Sequence, residues 1–342
     1  MNCGQRYMPK TLLQRVAACT LIFLPLISHS ALGQDASFND YLLKLKQEAS
    51  AQGISQATIN TAFPQIKRFK KANVAAAPSQ TQTQTLETYL PEVVPEWKVD
   101  TARVLFNEHE VLLSNIADKY QVQPRFLVAL WGLVSNFGDA SGDYPVLSVM
   151  ASLAFTGEDT ARYQREFMAA LSIMDKEHLK FDDLKSNDKG FMGQTQLLPS
   201  EYLAYGRDGD GDGKKDIWHN VADAFASAAN LLKQQGWNGE DTWGRQVQAP
   251  ADLKAEFIGL NQSQTLAKWQ QLGVRRFDNT DLPNREDIHA SLIMPDGAKG
   301  RKYLVYGNYR ALMHWQAVNY LGEGDYFGIS VVHLSERIKT PQ

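Results

Sequence analysis

The chain has 342 residues, 44% of them hydrophobic and 21% charged, with a formal net charge of −3. That balance supplies a sizeable core and excludes wholesale disorder and a strongly basic nucleic-acid binder. At about 150 residues per domain the length suits two domains, or one large domain with an appendage.

Arg6, Lys10 and Arg15 precede a short apolar stretch, Val16 to Ile27, that ends in Ala31-Leu32-Gly33. This pattern predicts an export signal cleaved after Gly33. Both cysteines, Cys3 and Cys19, fall inside it, so the mature chain has no disulfide and no thiolate ligand. Val16-Ala17-Ala18-Cys19 resembles a lipoprotein box, but the apolar core follows the cysteine instead of preceding it.

Beyond the signal, helical spacing dominates. Phe38, Tyr41, Leu42 and Leu45 open a helical stretch from Phe38 to Phe63, and Ala72 to Thr85 reads as a linker or wrap. A helix is expected from Val99 to Tyr120, with Val104, Leu105, Val111, Leu112 and Ile116 as its stripe. Another starts after Pro124 and runs to about Phe137, followed by a turn-rich loop from Gly138 to Pro145. Arg162 to Glu177 and Ala222 to Gln235 are two more, the latter ended by Gly236. The part after Val247 is mixed, with strands expected at Tyr303 to Tyr306 and Phe327 to Val332.

Two segments carry chemical signals. Asp208, Asp210, Asp212 and Asp216 stand at positions 1, 3, 5 and 9 of a calcium loop of EF-hand type, with Gly213 at position 6. Position 12 is His219 instead of a bidentate glutamate, so the alternative is a solvated acidic turn. The second segment, Lys189 to Ser200, sets two glycines and Gln194, Thr195 and Gln196 before a Pro-Ser helix start. Such a segment serves as a tight loop or as a sugar-binding rim.

Taken in chain order, these pieces resemble the lytic murein transglycosylases of the membrane-bound transglycosylase B type (glycoside hydrolase family 103). The likeness rests on Tyr120 to Gly132, Ser135-Asn136-Phe137-Gly138 and Gly142-Asp143-Tyr144-Pro145. It continues in Met192-Gly193-Gln194-Thr195-Gln196, Asp208 to Gly213, Gly236-Trp237 and Leu304 to Arg310. The resemblance implies an α+β fold, mainly α, with a lysozyme-like transglycosylase core, a small β-containing region and an EF-hand-like loop. The expected divisions are 1–33 for the signal, 34–98 for a helical segment and wrap, 99–246 for the core, and 247–342 completing the fold.

The family cleaves the bond between N-acetylmuramic acid and N-acetylglucosamine to a 1,6-anhydro product. One glutamate acts as acid and then as base. In this sequence the family's glutamate position is Val134, which has no proton to exchange. The resemblance places Ser135, Asn136, Asn187, Met192, Gln194 and Gln196 along the glycan and Asp208, Asp210, Asp212 and Asp216 around Ca2+. Lys189 and Phe191 replace small residues and are expected to narrow the cleft or change its charge, and Trp315 to Val318 departs from the family pattern. Two readings stay open. One is a catalytically silent periplasmic protein that binds peptidoglycan glycan strands or cell-wall enzymes, with the membrane involved only through the cleaved signal. The other is an active enzyme whose acid has moved to Asp139 or Asp143.

Overall fold

The computed structural model describes residues 29–69, 84–156, 159–319 and 325–339. Most of the export signal and the 72–85 linker therefore lie outside the described residues, as do residues 320–324. Residues 29–33, the end of the expected signal, begin the first helix. No described helix is long and apolar enough to cross a membrane.

The helical stretch expected from Phe38 to Phe63 divides in two. Helix α1 (His29–Ala51) buries Phe38, Leu45 and Ala49. A turn then leads to α2 (Gln56–Ala62), where Ser55 accepts a hydrogen bond from Thr58 N and caps the new helix. After α3 (Leu86–Val93), the long helix expected from Val99 to Tyr120 is also broken, into α4 (Glu96–Glu108) and α5 (Glu110–Tyr120). The break is His109 (φ −99°, ψ 17°), whose ring packs edge-on to Trp131 and Phe225 at 5.9 and 6.1 Å. The break resets the helical phase. Val99 and Ala102 are buried on α4, and Leu113, Ile116 and Tyr120 on α5, while Val104 and Val111 are 63% and 77% exposed. The expected stripe is thus partly wrong, because one unbroken period was carried across a kink.

Helix α6 (Pro124–Val134) starts on a proline that supplies the fixed φ of a first helical turn. It is apolar around most of its circumference, as a central helix must be. Helices α4, α5, α10 (Val221–Gln234) and α13 (Tyr326–Lys339) surround it. The segment expected as a strand from Phe327 to Val332 belongs to α13. Phe327, Ile329, Val331, Val332 and Leu334 are all buried, and a short apolar run of this kind does not reveal its period. Gly328 lets α13 approach α12 (Gly307–Asn319): a Cβ there would lie 2.6 Å from Met313 Sδ and 2.7 Å from the Tyr309 hydroxyl.

Helix α7 (Val146–Thr156) has no sequence signature, because almost every residue in it is buried and its pattern has no polar face. It packs along α8 (Thr160–Lys176). A two-stranded ribbon, β1 (Tyr144–Pro145) with β2 (Lys185–Ser186), ties the loop after α6 to the loop before α9 (Pro199–Tyr205).

The remaining strands form one antiparallel sheet in the order β4-β6-β7-β3-β5. They are β3 (Gly244–Gln248), β4 (Ser263–Thr265), β5 (Arg275–Arg276), β6 (His289–Ile293) and β7 (Lys302–Val305), with α11 (Leu266–Gln271) after β4. Alternate residues serve two cores. Ile293, Tyr303 and Val305 join the large helical core, while Leu292, Leu304 and Val247 join a smaller one around Trp269.

Between α8 and α9, Glu166 is 6% exposed and accepts from Ser200 N (2.9 Å) and Ser200 Oγ (2.7 Å). Burial, outweighing those bonds, pushes its carboxyl above the usual range. A group raised in the folded state stabilises the fold below its ordinary pKa and loses that contribution as pH rises through the folded value. The stability of the native chain relative to Glu166→Gln should therefore fall as the pH rises above the ordinary carboxylate range. Urea denaturation along that rise in pH checks this, and a flat or rising difference overturns it.

Candidate functional site

The end of α6 is a turn of unusual backbone. Asn136 and Phe137 have φ of 51° and 59°, and Gly138 follows at 91°. Each non-glycine residue in that region costs about 1–2 kcal/mol, so the surroundings must hold the turn. Ser135 does so from a buried position. Its hydroxyl donates to Gln194 O at 2.5 Å and accepts from Gly138 N at 3.0 Å. Phe137 N returns to Trp131 O at 3.2 Å, and the Phe137 ring stands edge-on to Trp131. Only glycine fits beneath it, since a Cβ on Gly132 would lie 2.5 Å from Phe137 Cε1. Asn136 Nδ2 donates to Asp139 Oδ2 at 3.1 Å, and its own Oδ1 is buried without a partner.

Val134 occupies the last helical residue before this turn. It is half-buried and packs against the helical core instead of lying fully within it. Lys98, which no local motif singles out, reaches the same helix end. Its ammonium donates to Gly132 O at 3.1 Å, and burial pulls its pKa down. A cation on an orphan carbonyl at a helix C-terminus is favourable, but the pairing spans 34 residues and leaves no local spacing signal.

The 186–198 loop packs against the turn. Asn187 Nδ2 donates to Gln196 Oε1 (2.7 Å), and Asn187 Oδ1 accepts from Lys189 N (2.9 Å) and Phe191 N (3.1 Å). Gln196 Nε2 donates to Ala140 O and Gly193 O, and Gln194 Oε1 accepts from Trp131 Nε1 at 3.0 Å. The structure thus brings Val134, Ser135, Asn136, Asn187, Gln194 and Gln196 into one constellation. Met192, Gln194 and Gln196 are nevertheless buried, with both glutamine side chains spent on holding the two loops together. Phe191 corrects an expectation. It is 2% exposed inside the helical core and does not obstruct the cleft, while Lys189 is half-exposed. Trp315 is likewise buried, donating from Nε1 to Thr195 O at 2.8 Å. Asp139 and Asp143, the candidate relocated acids, are both exposed.

The acidic loop gathers three of its four expected ligands. Carboxylate oxygens of Asp208, Asp210 and Asp212 lie within 4.8 Å of one another, close enough to share one hard cation. Asp216 lies outside that group. Its carboxylate accepts from Trp218 N and His219 N, so it caps the following turn. Asp208 holds the curl of the loop by accepting from Gly213 N and Gly211 N, bonds that keep its carboxyl below the usual range. Asp223 braces the loop from beneath, fully buried. It accepts from Gly209 N and Asp216 N at 2.7 Å each, and burial pushes its carboxyl up.

Comparison with known proteins identifies the fold and the family. A family model described as "Transglycosylase SLT domain" matches residues 37–336. Membrane-bound lytic murein transglycosylase B of Escherichia coli (strain K12) is 28% identical over 205 residues, 56% of each chain. The chain therefore spans little more than half the length of that curated relative. SltB3 from Pseudomonas aeruginosa, solved in complex with NAG-anhNAM-pentapeptide, superposes with a TM-score of 0.79 at 30% identity, covering 88% of this chain and 79% of that one. The Escherichia coli lytic transglycosylase Slt35, solved in complex with calcium, shares the fold at 21% identity. Its TM-score is 0.74, with 87% of this chain and 92% of that one covered.

The packing of Phe137 over Gly132 generates one prediction. Gly132→Ala should cost about 1–3 kcal/mol, the usual toll of overpacking. Because the clash is with one ring, the cost should shrink in a Phe137→Ala background. A double-mutant cycle in urea measures this, and strictly additive costs would contradict it.

Proposed function

The chain belongs to the transglycosylase SLT domain family, and on that footing we propose that it is an exported, periplasmic protein that holds peptidoglycan glycan strands at the α6 turn without cleaving them. Support for the ligand comes from SltB3, whose structures contain NAG-NAM-pentapeptide and NAG-anhNAM-pentapeptide. The observation that carries the loss of cleavage is Val134. The reaction needs a carboxyl group to protonate the departing glycosidic oxygen and then to take the proton of the attacking hydroxyl. Two methyl groups stand there instead. Asp139 and Asp143 are exposed and lack the apolar enclosure that keeps a catalytic acid protonated near neutral pH. The binding frame persists, because Ser135, Gln194, Gln196 and Asn187 hold one another without any contribution from the side chain at 134.

Purified sacculi test this directly. The protein should co-sediment with sacculi and release no anhydro-muropeptides. Loss of the acid-base group alone lowers rates by about 10² to 10⁴, and here both roles are lost together. Release within an order of magnitude of an active family member would sink the proposal and point to Asp139 or Asp143.

We also propose that Asp208, Asp210 and Asp212 hold Ca2+. Bound there, the ion supplies charge neutralisation to carboxylates that repel one another. The residues that fit it are the three whose oxygens already converge, while Asp223 keeps the loop seated on α10. A site of this openness matches the weak end of calcium loops, with Kd of about 10⁻⁴ to 10⁻³ M. At about 10 mM calcium, mass action then stabilises the fold by about 1.4–2.7 kcal/mol. The melting temperature should rise with calcium and return with EDTA, and Asp212→Asn should blunt the rise. An unchanged melting curve in both additions would leave the solvated acidic turn as the correct description.

A further inference from the structure

A groove of about 730 Å³ lies where the start of α3 meets the β3–β7 part of the five-stranded sheet. None of its lining residues belongs to the α6 turn or to the acidic loop. Its volume falls within the range of about 300–1,000 Å³ of small-ligand sites. Three chemistries meet in it. Phe277, just after β5, is 59% exposed and presents a ring to the groove. Gln246 on β3 adds an amide that both donates and accepts. Lys299 is exposed at the rim, and Lys302 donates only a long bond, 3.4 Å, to Gly300 O.

The groove's acids are both engaged by protein groups. Glu87 is gripped by Arg301 through two bonds of 2.7 Å. Asp296 accepts from Leu86 N with both oxygens and from the Tyr326 hydroxyl. Glu87 and Asp296 set against Lys299, Arg301 and Lys302 leave the lining with a net charge of +1, and Lys299 is the exposed cation at its rim. An aromatic face suits the C–H face of a sugar, the amide suits hydroxyl and acetamido groups, and the ammonium groups suit carboxylates. One ligand combines all three: an N-acetylated amino sugar bearing a carboxylate-rich peptide.

We propose that this groove is a second binding site, for the peptide-bearing amino sugar of the cell wall. The sugar ring lies on Phe277, and carboxylates of the peptide meet Lys299 and Lys302. The proposal rests on the reading of the chain as a peptidoglycan-binding protein. It adds a contact that recognises the peptide as well as the glycan, on a surface separate from the α6 turn.

The test uses the full mature chain, isotope-labelled for NMR, and two soluble probes: the NAG-NAM-pentapeptide fragment and the same disaccharide without its peptide. The peptide-bearing probe should shift the backbone amide resonances of Gln246, Phe277 and Lys299, and the bare disaccharide should shift them at least about tenfold less strongly at equal concentration. Phe277→Ala and Lys299→Glu change exposed side chains and leave the fold intact. Each should weaken binding at these resonances by about tenfold, the effect of losing one charge-assisted or stacking contact. Absence of shifts in the groove, or equal binding by both variants and the native chain, overturns the second site. Sacculus co-sedimentation run in parallel separates the two ideas. If the native chain sediments with sacculi while the groove stays silent, the groove proposal alone fails. If the native chain neither sediments nor shifts, the peptidoglycan reading fails with it.

Discussion

The hydroxyl of Ser135 is the pivot on which the functional region turns. It gives its proton to the backbone of Gln194 and takes a hydrogen bond from Gly138, so two loops distant in sequence share one buried oxygen. Without it, three successive residues in left-handed conformation would have little reason to stay there. Around this point the remaining bonds fall into place: Trp131 to Gln194, Gln196 to Ala140, and Asn187 to Gln196. Each buried polar group there finds a partner within the region, with the oxygen of Asn136 as the exception.

A similar economy governs the acidic loop. Asp223 uses both carboxylate oxygens, one for the first glycine of the loop and one for Asp216 at its end. A single buried side chain on α10 therefore fixes both ends of the loop, and the exposed aspartates between them need only converge. Elsewhere the helices enclose α6 from several sides, and the sheet lends alternate residues to two cores. Buried support on the helix and exposed charge at the surface are thus separated in space.

Much of this was legible in the sequence, and the misses have physical causes. Helix α8, with its polar face, announced itself through its period, and α10 through a run of small apolar residues closed by Gly236. Helix α7 did not, because burial on all sides erases the period. Helix α13 carries β-branched residues typical of strands, and only its packing against α6 and α12 makes it helical. The kink at His109 depends on aromatic partners from α6 and α10, which no local pattern encodes. At the site, the helix expected to run to about Phe137 stops at Val134, because Ser135-Asn136-Phe137-Gly138 form a turn, left-handed from Asn136 on, held by bonds to Gln194 and Trp131. The inward aim of Gln194 and Gln196, the burial of Phe191 and the reach of Lys98 to Gly132 all depend on which loops meet. Asp216 shows the same limit, since its spacing fits an ion while its bonds serve a turn.

The independence of the frame from residue 134 has an evolutionary reading. The hydrogen bonds that hold the α6 turn run through backbone groups and through Ser135, Gln194 and Gln196, and the side chain at 134 takes part in none of them. A glutamate could therefore give way to a valine in one step with little toll on folding. Chemistry and architecture at this site are thus separable: the residue at 134 can change while the bonds that shape the turn stay as they are.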